Sequence, residues 1–172
     1  MKKNKYLIIV IIVSIILTLG LSYAFRITLK EYRNDNFRVQ YDSTWKLDND
    51  VNELKLIHKK TKSVLRIQSK ELDTEYMDVS LKDIIIDIVD SIEKQNVDYK
   101  LINRKSNLNN DYESFSYLYE NGMMQVLVNI YKNNNKLVIA YYEANSEYYD
   151  IVLDSVETLL NTLEIYTGTK VN

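Results

Sequence analysis

His58 is the only histidine in the chain, and there is no cysteine. A Ser-His-Asp relay needs an imidazole that passes a proton between nucleophile and leaving group. His58 sits between Ile57 and Lys59-Lys60, at the end of an alternating segment, with no nucleophile motif beside it. It therefore reads as a surface histidine near a turn. The absence of thiols removes a Cys nucleophile, and one imidazole is too few for the common zinc and copper donor sets. Gly20, Gly122 and Gly168 lie far apart, so no glycine-rich loop cradles a phosphate.

Carboxylates remain as candidate acid/base pairs, with Asp48 and Asp50, or Asp111 and Glu113, closest in sequence. Two acids at i and i+2 in a loop are more often solvated than catalytic. Neither pair carries the glycine and terminal glutamate of a calcium-binding EF-hand. The chain is accordingly read as non-enzymatic, with no catalytic residue, no metal and no cofactor assigned.

The 15 tyrosines, against three phenylalanines, are the compositional oddity. Tyr117, Tyr119, Tyr131, Tyr141 and Tyr142 fall in strand-like segments, and Tyr148 and Tyr149 open a helical one. They offer either an aromatic face for glycan or peptide, or ordinary sheet packing with the hydroxyl reaching water. Packing is the favoured reading. If any tyrosines form a binding surface, Tyr142 and Tyr149 are the candidates, since each adjoins a tyrosine better placed for the core.

Those side chains must be carried by something, and the chain divides unevenly. Tyr6 to Phe25 (YLIIVIIVSIILTLGLSYAF) holds no charged residue. As a helix these 20 residues rise roughly 30 Å, the thickness of a bilayer's hydrocarbon core. Lys2, Lys3 and Lys5 precede the run and favour a cytoplasmic N-terminus with the remainder outside the cytoplasm. Ser22-Tyr23-Ala24 also fits signal peptidase, so secretion after cleavage near Ala24 is the alternative to an uncleaved anchor. The run exceeds a signal-peptide core of about 7–15 residues, which favours the anchor.

Charge divides the same way. Five of the 22 basic residues lie in residues 1–30, which contain no acid; the remaining 17 face 24 acidic ones, a formal −7. An acidic domain argues against nucleic acid and against anionic lipid as its partner. Without cysteine it must stand on its hydrophobic core, and about 130 residues suffice for that.

Residues 1–25 thus read as anchor or signal sequence, 26–35 as a linker, 36–165 as one domain and 166–172 as a flexible tail. Within the domain the apolar period changes in an informative order. Phe37, Val39 and Tyr41 alternate as a first strand, Leu54–His58 as a second and Val64–Ser69 as a third. Ser80 opens a helix as a cap, with Val79 and Ile84 placed as a hydrophobic staple. Leu81, Ile84, Ile85, Ile88, Val89 and Ile92 form its stripe. Val97–Leu101 returns to alternation, followed by a polar NRKSNLNND stretch. Tyr112–Glu120, Met123–Lys132 and Lys136–Glu143 make a meander, turned at Asn121-Gly122 and Asn133–Asn135. Asn145 or Ser146 caps a last helix striped by Tyr148, Val152, Val156, Leu159, Leu160 and Leu163. The fold expected is α+β, with two helices on a largely antiparallel sheet of about six to seven strands.

Phe37-Arg-Val-Gln-Tyr41 followed by Trp45, the long helix after the third strand, and the closing meander plus helix resemble the PsbP-like family. The resemblance spans about residues 36–165 and implies an α/β/α sandwich, shared with a nuclear Ran-binding protein. Asp42 stands where that family usually has proline, and it can still start the bend. The resemblance implies structural roles for Phe37, Val39, Tyr41 and Trp45, and binding rather than catalysis. It transfers no functional residue. The expectation is a membrane-tethered, extracytoplasmic, non-catalytic domain that binds or assists a protein or a cell-envelope component. Immunity- or exclusion-type protection is the alternative. A pilin-like subunit fits less well, because Tyr6–Phe25 lacks the acid pilins place there, and a carboxylate hydrolase fits least.

Overall fold

The computed structural model describes residues 29–49, 53–95, 98–108 and 113–166. Tyr6–Phe25 lies outside them, as do Asp50 and Asp111. Among the described residues no helix is long and apolar enough to cross a membrane.

The core of the structure is a seven-stranded antiparallel sheet. Its strands are β3 (Trp45–Asn49), β4 (Glu53–His58), β5 (Val64–Glu71), β6 (Lys100–Leu108), β7 (Glu113–Glu120), β8 (Met124–Asn133) and β9 (Lys136–Asn145). They lie in the order β3-β4-β5-β9-β8-β7-β6. β1 (Lys30–Arg33), β2 (Phe37–Tyr41) and β10 (Glu164–Ile165) form a second, three-stranded sheet in the order β1-β2-β10. Helices α1 (Leu81–Gln95) and α2 (Tyr149–Leu160) complete the domain.

Both faces of the large sheet are covered, and alternation sorts its residues between two cores. Leu54, Leu56, Leu65, Ile67, Val138, Ala140 and Tyr142 pack with the small sheet and with Val152, Val156 and Leu159 of α2. Tyr117, Tyr119, Val128, Ile130 and Leu137 pack on the other side with Leu81, Ile84 and Ile85 of α1. A strand covered on both faces loses its polar phase, which explains the near-continuous apolar run of β8 and β9.

Several elements depart from the sequence reading. Phe37–Tyr41 is a strand, but of the small sheet, pairing with β1 on one side and β10 on the other. β1 falls inside the expected linker: Tyr32 packs on Phe37 with ring centroids 5.8 Å apart, an anchorage no periodicity over four residues would reveal. Tyr166 is tied back rather than loose, donating its backbone N–H to the Asn36 carbonyl at 2.8 Å beneath the Arg33 guanidinium. Trp45 begins β3, opposite His58, and so belongs to the large sheet. The polar stretch after Leu101 continues as strand β6 to Leu108, because an edge strand needs no apolar face. Ser80 meets the first turn through its backbone, its carbonyl accepting the Asp83 amide at 3.1 Å. Its hydroxyl donates to Asp83, and the Leu81 N–H donates instead to the Glu113 carboxylate from β7. Asn145 accepts the Glu147 amide at 3.0 Å in the turn before α2.

Register also defines two ends. Lys30 pairs with Tyr41, whose strand runs through Asp42–Thr44 into β3, and the Lys59 amide donates to the Thr44 carbonyl. Lys30, the β4–β5 turn, the β7–β8 turn and the start of α2 therefore share the near end. Asn36, hydrogen-bonded to Ser69 and Lys136, the β8–β9 turn and the start of α1 share the far end.

Candidate functional site

Helix α2 crosses the inner strands of one sheet face and leaves its outer strands partly bare. On that face Asn103 and Lys105 of β6, Ser114, Ser116 and Leu118 of β7, and Leu127, Asn129 and Tyr131 of β8 stand side by side in register. The opposite wall is the flank of α2: Tyr149, Asp150, Leu153, Glu157, Leu160 and Asn161, residues spaced by about one helical turn. Between them runs an open groove of about 450 Å³.

Its floor is polar and its walls mixed. Ser114 and Asn129 are buried, and the Ser116 hydroxyl donates to the Asn129 side-chain carbonyl, with leucines at either side. Lys105 lines the strand side, while Asp150 and Glu157 line the helix side. Asp150 and Glu157 are seven residues apart on one helix, roughly 10 Å along its axis. The arrangement offers hydrogen bonds, apolar contact and opposed charges, which is equipment for holding a ligand.

No local motif marks this groove, although the strands carry one signal of it. Ser114, Ser116 and Asn129 share one phase of otherwise apolar strands. Polar residues at one spot of a sheet covered on both faces mark where the cover is incomplete. Which helix stops short there is a tertiary fact.

The residues singled out from sequence lie elsewhere. Tyr142 and Tyr149 are not exposed; they retain 0% and 4% of their accessible surface. Their rings tilt against each other at 5.2 Å, and the Tyr142 hydroxyl donates to the Tyr149 carbonyl at 3.0 Å. Burial pushes the Tyr142 phenol up to about 12, with Ser63 opposing and Asp150 adding to the rise, and it pushes Tyr149 up as well. Register decides the exchange. Tyr142 shares the phase of Ala140 and Ala144 beneath α2, where small neighbours leave room for a large ring, so Tyr148 is the exposed member of its pair. Phe37, Val39, Tyr41 and Trp45 are all buried in the same core. The expected acid pairs do other work. Asp48 pairs with Lys55 at 2.8 Å, a hydrogen bond that lowers its pKa, while Glu113 receives the α1 amide. Among the described residues no group of three or more His, Cys, Asp or Glu side chains could hold a metal.

His58 is half-buried rather than a plain surface residue. Its ring meets Trp45 edge-on at 5.3 Å, and Nδ1 lies 2.8 Å from the Thr61 hydroxyl. Burial lowers its pKa below the ordinary 6.5, Asp42 opposing and Lys60 assisting. The unfolded chain then binds the proton more readily, so stability is full above the unfolded value and falls as pH drops through it. The melting temperature is expected to decline between about pH 7.5 and pH 5.5, and His58→Asn to flatten part of that decline. An unchanged pH profile in the variant would contradict this.

No family model and no curated protein matches the chain. Solved structures do. The solution structure of cyanobacterial PsbP (CyanoP) from Synechocystis sp. PCC 6803 is similar at TM-score 0.64 and 13% identity, covering 80% of this chain and 92% of that one. The crystal structure of PA94, a protein of unknown function from Pseudomonas aeruginosa, is similar at TM-score 0.54 and 15% identity, covering 82% and 99%. Likeness at such identities speaks to fold alone: this chain has a PsbP-like α+β fold, two helices on a large antiparallel sheet.

Proposed function

We propose that this is a membrane-tethered domain, held outside the cytoplasm by residues 6–25, that binds a segment of a partner protein without catalysing a reaction. The observation that carries it is the groove between α2 and β6–β8. A polar floor, leucine sides and opposed charges at Lys105 and Glu157 suit an extended peptide with alternating polar and apolar side chains. A glycan would favour an open aromatic platform. The tyrosines of this groove, Tyr131 and Tyr149, are buried.

A photo-crosslinking side chain at Asn161, in the full-length protein in its native membranes, tests the reading. A discrete protein adduct is expected there, with none from Ile86 on the outer side of α1. Lys105→Glu or Glu157→Lys should reduce the adduct several-fold while leaving the melting temperature within about 0.5 kcal/mol of stability, as surface changes do. Equal adducts from both positions, or one indifferent to both charge reversals, would overturn the groove as the binding site.

A further inference from the structure

We infer that the near end of the domain rests on the bilayer that carries the anchor, inserting exposed apolar side chains into the lipid headgroup region. This rests on the reading of residues 6–25 as a retained anchor.

Three observations converge. The first is where the chain enters. Lys30 opens β1 at the near end, and Phe25, the last residue of the apolar run, is five positions earlier. Fully extended, those residues reach at most about 17 Å. The headgroup layer takes roughly 5–7 Å of that, so Lys30 stays within about 10 Å of the membrane surface and the near end is the part of the domain next to it.

The second is the placement of exposed apolar residues. Among the described residues nine large hydrophobic side chains are exposed, and six belong to the near end: Leu29, Leu101, Ile102, Met123, Tyr148 and Ile151. Met123, at the tip of the β7–β8 turn, retains 73% of its surface, and Ile151, in the first turn of α2, retains 71%. The Ser146 amide donates to the Met123 carbonyl at 2.9 Å, which joins the turn to the start of that helix. Ile102 is the extra residue of a bulge between Leu101 and Asn103, a device that turns a side chain out of the ladder. At the far end only Tyr76 and Met77 are comparably exposed. A tyrosine beside aliphatic side chains is the composition found at the interface between water and lipid.

The third is charge. Exposed Lys59, Lys60 and Lys62 form the β4–β5 turn, close to Lys30 through the Thr44 contact. They stand beside the point of entry, where lipid phosphates lie. Glu120 and Glu147 flank the apolar group, so attraction to anionic lipid is not what seats it; burial of the apolar side chains is. Lys100 stands opposite Glu120 beside Leu101, so the apolar group carries charges of both signs at its rim, while Lys59, Lys60 and Lys62 lie at the corner of entry.

The chain's lack of cysteine allows a direct test. Full-length Met123→Cys, Ile151→Cys and, at the far end, Glu75→Cys are labelled with an environment-sensitive dye and reconstituted in vesicles of phosphatidylcholine with a minor share of phosphatidylglycerol. All three positions are exposed, so labelling leaves the fold intact. Emission from positions 123 and 151 should rise several-fold, shift to the blue and be quenched by spin-labelled lipid, while position 75 stays unchanged. If the protein floats with vesicles after an alkaline wash and all three dyes remain aqueous, the tether stands and the seated near end falls. If the protein does not float, the tether itself fails and the inference with it. A blue shift that lipid-borne spin labels do not quench, and that fades as protein is diluted in the bilayer, would assign the patch to a second copy and overturn the lipid contact.

Discussion

Replacing Trp45 with alanine is expected to destabilise the domain by about 3–5 kcal/mol, the cost of removing a buried indole and leaving its cavity. In a domain of this size that corresponds to a fall in Tm of roughly 10–20 °C. Three features of the site place the effect at the upper end of that range. The indole retains 1% of its surface and packs where the small sheet, the large sheet and α2 meet. Its Nε1–H donates to the Ser155 hydroxyl at 3.0 Å, so a helix residue distant in sequence loses its partner as well. His58 loses the ring it meets edge-on. Thermal unfolding followed by circular dichroism would measure the change. A melting temperature within a degree or two of the parent would mean that Trp45 does not join these layers.

Tyr142→Ala should cost a similar amount, about 3–5 kcal/mol, whereas Tyr142→Phe should cost only about 1 kcal/mol. The pair separates two contributions. Alanine empties the space between Ala140, Ala144 and α2, while phenylalanine keeps the ring and loses only the hydrogen bond to the Tyr149 carbonyl. Denaturant titration of both variants distinguishes them. If Tyr142 were the exposed binding residue that its neighbour in sequence suggests, both changes would fall within about 0.5 kcal/mol. That outcome would reverse the face assignment of β9.

Tyr142 also shows why the fold was more legible than the site. In β9 both phases are apolar, since α2 covers one face and α1 the other. Alternation identifies a strand, but it cannot tell which phase is more deeply covered. Tyr141 and Tyr142 are chemically identical, and only register against β5 and β8 assigns them to opposite cores. The same limit hid β6 and β1. An edge strand is held by backbone hydrogen bonds to one neighbour and needs no apolar pattern, so NRKSNL reads as loop and KEYR as linker. Glu113 shows it for caps: the carboxylate that receives the Leu81 amide arrives from 32 residues away, beyond any local motif.

The sequence by itself determined the α+β class, both helices and the meander, because 3.6- and two-residue periods are written locally and must match the surface each element buries. It also set out the apolar run and the charge division that frame the membrane reading, since length and composition are sums over residues. Tertiary structure alone decided that FRVQY belongs to a separate small sheet, and that Trp45 is the joint between layers. It also decided that a groove opens where α2 stops covering β6–β8, and that the exposed apolar side chains gather at the end from which Lys30 leads back toward the apolar run. These depend on which distant segments become neighbours, and a chain's local pattern does not encode the partner that covers it.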